Sequence, residues 1–230
     1  MNFFENVKIL ITNEKYMGML FEGLGTTLLI SVFASLLGLV IGTVVAIVGI
    51  SEKNPVINVI NAICKAYVTV IRGTPMALQL FIMAYAIFAI RGFPKEITAI
   101  IAFGINSGAY VSENIRAGIL SVDRGQTEAG RALGLSGRTT MIKIVIPQAI
   151  KNVIPAIGNE LIALIKETSI VSMIGMYDLT QAAKVIGAGN NMASYVVPMT
   201  VAAVFYLGIV YLLTFAIKKI EERLRAGDKR

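Results

Sequence analysis

Residues 23–51 read GLGTTLLISVFASLLGLVIGTVVAIVGIS, 29 residues between Glu22 and Glu52 without one charge. A helix needs roughly 20 apolar residues to cross the hydrocarbon core of a bilayer. This run is longer than that, and a second run of 33 uncharged residues lies between Lys184 and Lys218. Hydrophobic residues make up 56% of the 230-residue chain and charged residues 15%, against about 25% charged in soluble proteins. A soluble core of this size cannot hide so much apolar surface, so the chain reads as an integral membrane protein. The first run is not a cleavable signal peptide. Such peptides have a basic leader and an apolar stretch of about 7–15 residues, whereas here 22 residues precede a run about twice that length.

Shorter uncharged runs suggest the remaining spans. There are 18 residues between Arg72 and Arg91 and 16 between Glu96 and Glu113. A further span near Pro155–Gly175 carries Glu160, Lys166 and Glu167. Residues 54–90 read either as one helix broken at Arg72-Gly73-Thr74-Pro75 or as two spans. One helix is preferred, because Asn54, Asn58, Asn61 and Lys65 leave 54–71 only short apolar stretches. Such a helix would be about 55 Å long and would extend past the hydrocarbon with Lys65.

The expectation is an all-α polytopic protein with one transmembrane domain over 1–230. Its five spans fall at about 20–50, 55–90, 96–120, 153–176 and 193–219, with a cytoplasmic loop at 121–150. With the N-terminus outside and the C-terminus in the cytoplasm, the inside segments hold 13 Lys and Arg and the outside segments 5. That is the bias of inward-facing loops. The net charge of +7 is therefore a topology signal and not a nucleic-acid surface. Gly38 and Gly42 form a GxxxG, a spacing that lets helices approach closely, within the subunit or between two.

Several chemistries are excluded. The chain has no histidine and one cysteine, Cys64, so no His-based triad, internal disulfide or thiolate metal cage is expected. Gly125 and Gly130 have the glycine spacing of a phosphate loop, but Arg131-Ala132 follows where Lys and then Ser or Thr are needed. The chain should bind no ATP, metal or other cofactor itself. The ten methionines are scattered and read as packing.

Residues 117–150, AGILSVDRGQTEAGRALGLSGRTTMIKIVIPQAI, form the longest cytoplasmic segment. Glu128 to Leu133 favours a short helix with an acid near its N-terminus. Gly134 is placed to end it, Ser136 to cap the next helix, and Pro147 to mark a bend. Glu128-Ala129-Gly130, Gly134, Ile144 and Pro147 resemble the EAA loop of ABC importer permeases, whose form is EAA, three residues, Gly, nine residues and I-x-L-P. Gly130 and Ile146 depart from it. Arg72-Gly73-Thr74-Pro75 with Leu78-Gln79-Leu80, and residues 160–178 (ELIALIKETSIVSMIGMYD), resemble the polar-amino-acid branch of that family. The resemblance covers roughly residues 17–220.

The resemblance implies five spans with the N-terminus outside. It implies a coupling helix, with Glu128, Ala129, Gly130, Ala132, Leu133 and Gly134, docked on two cytoplasmic ABC ATPase subunits that hold the ATP and Mg. It further implies a second permease copy (a homodimer is favoured over a heterodimer), an extracellular or periplasmic amino-acid-binding protein, membrane lipid as surroundings, and the prokaryotic cell (inner) membrane as location. The chain is then a transport subunit and not an enzyme.

Charged groups at membrane depth default to function. Glu160 and Glu167 are seven residues apart and share a helix face. In glutamine-type relatives the Glu160 position tends to be neutral, so an acid there points to basic amino acids such as arginine, lysine or histidine. An ion pair with Lys151 is the plainer reading. Glu113 and Arg116 can pair locally at i,i+3. Asn106 and Glu113 share a face with Tyr110. Thr74 and Pro75 interrupt a helix, and freed backbone groups there could face a cavity. The substrate candidates are thus Glu160, Glu113, Asn106, Thr74, Gln79 and Tyr110. Asp178 is expected to cap a short external helix over 179–187. The rivals are an ion-gradient-driven secondary transporter, against which five spans do not divide into two inverted repeats, and an intramembrane enzyme, for which no His or Ser–Lys dyad can be placed.

Overall fold

A computed structural model describes residues 2–51, 54–189 and 195–226. Lys53, Asp228, Lys229 and Arg230, and residues 193–194 of the last expected span, lie outside the described residues. All regular structure among the described residues is helical.

Helix α1, Phe3–Thr12, precedes the first apolar run, and Asn13 joins it to α2, Glu14–Ile50. The Asn13 Oδ1 accepts from the backbone N–H of Lys15 at 3.0 Å and of Tyr16 at 3.2 Å, so one side chain starts α2. Helix α3, Pro55–Arg72, is capped by Asn54, whose Oδ1 accepts from Ile57 N at 2.8 Å, and has proline in its first turn. Helix α4, Met76–Ile82, runs into a wide π turn over Met83–Ile87. Helix α5 spans Lys95–Leu120. Two short helices of the 121–150 loop follow, α6 at Arg124–Ala132 and α7 at Gly137–Thr140. A π turn at Met141–Val145 leads into α8, Ile146–Glu167, which tightens to a 3-10 turn over Thr168–Ile174. Helix α9 is Leu179–Ala188 and α10 is Val196–Arg225.

Among the described residues four helical stretches are long and apolar enough to cross a membrane: Glu14–Ile50, Pro55–Arg72, Gly137–Ile174 and Val196–Arg225. The sequence reading of 96–120 as a span meets α5, which has the length but not the apolarity. It carries Asn106, Ser107, Ser112, Glu113, Asn114 and Arg116. The reason is its position. Helix α5 packs along α2 and touches α3, α4 and α8, and twelve of its residues are buried. Its surroundings are other helices more than lipid, so polar side chains are tolerated along it.

Residues 55–90 hold two helices, not one continuous one, because residues 73–75 leave the helix entirely. Helix α3 reaches span length alone. Likewise α8 begins nine residues before Pro155, which sits buried inside the helix, so Pro155 does not start the fourth span. Pro147 follows directly on the π turn, in the first turn of α8.

Glycine sets the α2–α5 contact. A Cβ on Gly38 would lie 2.8 Å from the Ser107 side chain, and one on Gly42 2.6 Å from Val111. The GxxxG of the sequence is therefore a packing seam inside the subunit. A second core joins Leu10 of α1, Leu20 of α2, Leu179 and Ile186 of α9, and Val197 of α10. There the fully buried Asp178 caps α9, accepting from Gln181 N at 2.9 Å and Thr180 N at 3.1 Å.

Candidate functional site

The break between α3 and α4 is bridged by one side chain. Gln79 Nε2 donates to Ile71 O at 2.8 Å, to Thr74 O at 3.1 Å and to Thr74 Oγ1 at 2.8 Å. Its Oε1 accepts from Asn106 Nδ2 on α5 at 3.0 Å. The Thr74 hydroxyl donates to Val70 O at 2.9 Å. The carbonyls that the break frees are thus engaged internally, as backbone at membrane depth requires. Gln79, Thr74 and Asn106, singled out from sequence, come together as this bridge.

About two turns further along α5 the charged groups gather. Arg116 Nε and Nη2 donate to the Glu113 carboxylate at 3.1 Å and 2.7 Å. Arg72, the last residue of α3, places Nη1 3.6 Å from Glu113 Oε2, and its guanidinium carbon lies 5.2 Å from the centre of the Tyr110 ring. The i,i+3 ion pair read from sequence is therefore present, with Arg72 as a third member that the sequence reading treated only as part of the helix break. Arg72, Glu113 and Arg116 line a cavity of about 640 Å³ between α2, α3 and α5, to which Asn61, Lys65, Thr69 and Ser112 contribute polar atoms.

Glu160 sits half-buried on α8, seven residues before Glu167 on the same helix. Among the described residues Ser107 Oγ of α5 is buried and makes no hydrogen bond. Tyr110 is three residues from Ser107 and so its neighbour on the helix surface, whereas Asn106, next to Ser107 in sequence, points toward Gln79. Sequence reasoning missed Arg72 and Ser107. The signal for Arg72 was available: a cation at membrane depth calls for a named partner, and Glu113 is the acid in reach.

Helix α6 stands at one end of the bundle. Asp123 caps it, with Oδ1 accepting from Gly125 N at 2.6 Å, so it starts four residues before the Glu128 expected from sequence. Gly134, at φ +82°, ends it in a left-handed turn that favours glycine. Ser136 caps α7 by accepting from Thr139 N at 3.2 Å. Gly130 is buried against Thr140 and Ile144, while Leu133 is 80% exposed. Glu128, Ala129 and Ala132 lie on α6, and Leu133 and Gly134 form its end. A polar junction ties this end together. Asn152 Nδ2 of α8 donates to Ser121 Oγ at 2.8 Å, and Arg225 Nη2 of α10 donates to Asn152 Oδ1 at 3.3 Å.

A broken helix, charges at depth and a glycine-ended loop helix on a helical bundle describe a transport component, and residues 38–226 match the binding-protein-dependent transport system inner membrane component family. The chain belongs to that family. The arginine transport system permease protein ArtQ of Bacillus subtilis is 41% identical over 209 residues, 90% of this chain and 93% of ArtQ. The L-cystine permease TcyB of the same organism is 35% identical, covering 93% of this chain and 90% of its own. The glutamine permease GlnP of Escherichia coli is also 35% identical, covering 90% and 93%. A solved amino acid ABC transporter with histidines aligns at a TM-score of 0.85 and 36% identity over 93% of this chain and 98% of its own. The MetNI methionine transporter, at 22% identity and a TM-score of 0.74, shares the fold. As a member of this family the chain is a membrane component of a binding-protein-dependent transport system.

Proposed function

We propose that the chain is the transmembrane subunit of an ATP-driven importer for basic amino acids. The observation that carries the reading is α6: a short, capped helix with an exposed Leu133, ended by Gly134 and held to the bundle by buried Gly130. In this reading Glu128, Ala129, Gly130, Ala132, Leu133 and Gly134 dock on two cytoplasmic ATPase subunits, which carry the ATP and Mg. The chain crosses the cell membrane five times, with α5 as the third span, the N-terminus outside and the C-terminus in the cytoplasm. Two copies surround the path, and a binding protein delivers the substrate. Glu160 supports a cationic substrate, since a half-buried carboxylate away from bulk water favours a cation, and arginine is what the relative ArtQ is named for.

The experiment is reconstitution of the chain with its ATPase and binding protein in liposomes. Uptake of labelled arginine, lysine or histidine driven by internal ATP is expected, with glutamine poorly taken up. Glu160→Gln should reduce uptake of the basic amino acids more than tenfold. Equal uptake by the variant would overturn the role of Glu160, and uptake without ATPase under an ion gradient would overturn the importer reading.

A further inference from the structure

We infer that the cavity between α2, α3 and α5 holds the headgroup of an anionic phospholipid, with an acyl chain of the same lipid in the apolar cavity beside it. The first cavity, about 640 Å³, brings Lys65 and Arg72 of α3 together with Glu113 and Arg116 of α5. That is three cations to one anion. Arg116 neutralises Glu113 through hydrogen bonds of 3.1, 3.2 and 2.7 Å. Arg72 comes only to 3.6 Å from the same carboxylate, lies over the Tyr110 ring and makes no hydrogen bond among the described residues. Lys65 makes neither a hydrogen bond nor an ion pair among the described residues. Two positive charges are thus left facing one cavity. A cation on a membrane-crossing helix calls for a partner, and the described residues supply none for Lys65.

The neighbouring cavity gives that partner its chemistry. It measures about 570 Å³, lies between α2, α5 and α8, and is lined by aliphatic residues with the exception of Thr43. Ala46 and Ile50 of α2 line both cavities. A cationic chamber and an apolar chamber therefore adjoin at the end of α2. A ligand that fills both has a negative head and a hydrocarbon tail, whereas a free amino acid or a free phosphate leaves the aliphatic chamber unused. Access agrees with this. Helix α3 is long and apolar enough to cross a membrane, yet none of its residues is buried. The cationic chamber is thus open to the surroundings of the bundle, which for a membrane protein are lipid. Both chambers lie where α2 ends at Ile50 and α5 runs toward the segment that carries α6. On the topology proposed above this is the cytoplasmic leaflet, where a basic pocket between spans suits an anionic headgroup. Only the choice of leaflet rests on that reading.

The test uses the permease with its ATPase subunits, stripped of native lipid in detergent. Native mass spectrometry then follows the lipid retained as phosphatidylglycerol or phosphatidylcholine with the same chains is added back. The wild type is expected to take up one phosphatidylglycerol per permease with a preference of roughly 20-fold over phosphatidylcholine, from about fivefold for each of two uncompensated cations. Lys65→Gln, at an exposed position without partners, should cut that preference about fivefold, and Lys65→Arg should keep it. Thr43→Phe, which fills the apolar chamber, should weaken retention of both lipids alike. Equal retention of the two lipids by the wild type, or a Lys65→Gln protein with the full preference, overturns the site. Displacement of the lipid by glycerol phosphate also overturns it, by making the chamber a site for soluble phosphate. Displacement by arginine overturns it by giving the chamber to the transported substrate. A Lys65→Gln protein that changes the number of permease copies per complex, with lipid retention unaltered, gives α3 to a second copy instead. None of these readouts requires transport, so failure of the lipid site and failure of the importer reading are told apart.

Discussion

Gly42 of α2 stands so close to Val111 of α5 that a Cβ on it would lie 2.6 Å from Val111 Cγ1 and 2.8 Å from the Gly108 carbonyl. Neither partner can yield cheaply: Val111 is buried, and the other atom is backbone. Gly42→Val should therefore cost about 1–3 kcal/mol through overpacking. Gly49, on the same helix, has open space where its Cβ would go. Gly49→Ala should be neutral or slightly stabilising, since alanine is the better helix former by about 1 kcal/mol. The chain has no tryptophan, so the readout is the fraction that stays monodisperse on size exclusion after heating in detergent. Equal loss in both variants would mean that the seam does not set stability.

Gln79 makes the break at residues 73–75 tolerable. Gln79→Leu would leave Ile71 O, Thr74 O and the Asn106 amide short of partners. An unsatisfied buried group costs about 1–3 kcal/mol; Asn106 is buried but Thr74 is exposed, so a loss near the bottom of that range is expected. Gln79→Glu should be at least as harmful, because a carboxylate would face two carbonyl oxygens. The same heating assay checks this. A Gln79→Glu protein as stable as wild type would show that the carbonyls find other donors.

What the sequence reveals depends on where each residue sits. Helices α2 and α10 are plain from their uncharged runs, since hydropathy reports surroundings of lipid. Helix α5 is harder, because as the central helix it meets other helices and carries polar groups such as Asn106 and Ser112. The caps were legible: Gly134 and Asp178 act through their own backbone neighbours, so local sequence suffices. The Gln79 bridge and the Arg72–Tyr110 stack were not. The bridge's bond to Asn106 and the Arg72–Tyr110 stack join residues 27 and 38 apart, and no spacing within one helix reports contacts between helices. The expected use of Thr74 and the freed carbonyls as ligand groups overlooked Gln79, only five residues away, as an internal donor.

Asn152 links three helix ends, accepting from Arg225 and donating to Ser121. These bonds are exposed, so Asn152→Ala should change stability by only about 1 kcal/mol. On the proposed coupling role the larger effect lies elsewhere. Ser121 and Asp123 begin the segment that carries α6, and loosening it should let the ATPase turn over without moving substrate. Roughly a threefold rise in ATP hydrolysed per substrate imported is expected. Unchanged stoichiometry in reconstituted liposomes would make the junction a structural tie alone.

The glycine at position 130 departs from the alanine of the EAA pattern, and its neighbours give the reason. A Cβ there would lie 2.7 Å from Thr140 Cγ2, 3.0 Å from Thr140 Oγ1 and 3.1 Å from Ile144 Cδ1. Thr140 is fully buried, and its hydroxyl donates to Ser136 O at 3.0 Å, so it cannot rotate away without losing that bond. Gly130→Ala should therefore strain the α6–α7 contact, with a net cost of about 1 kcal/mol once the helix-forming gain of alanine is offset. Thr140→Ser removes the offending methyl and keeps the hydroxyl. The double variant should recover most of the loss, a coupling of about 1 kcal/mol between neighbouring sites. The measurement is a double-mutant cycle on thermal stability, repeated for retention of the ATPase subunit during purification. Strict additivity would place the strain elsewhere and leave Gly130 without a packing reason. Recovery of both readouts would mean that the residue at position 140 sets what α6 can carry at position 130.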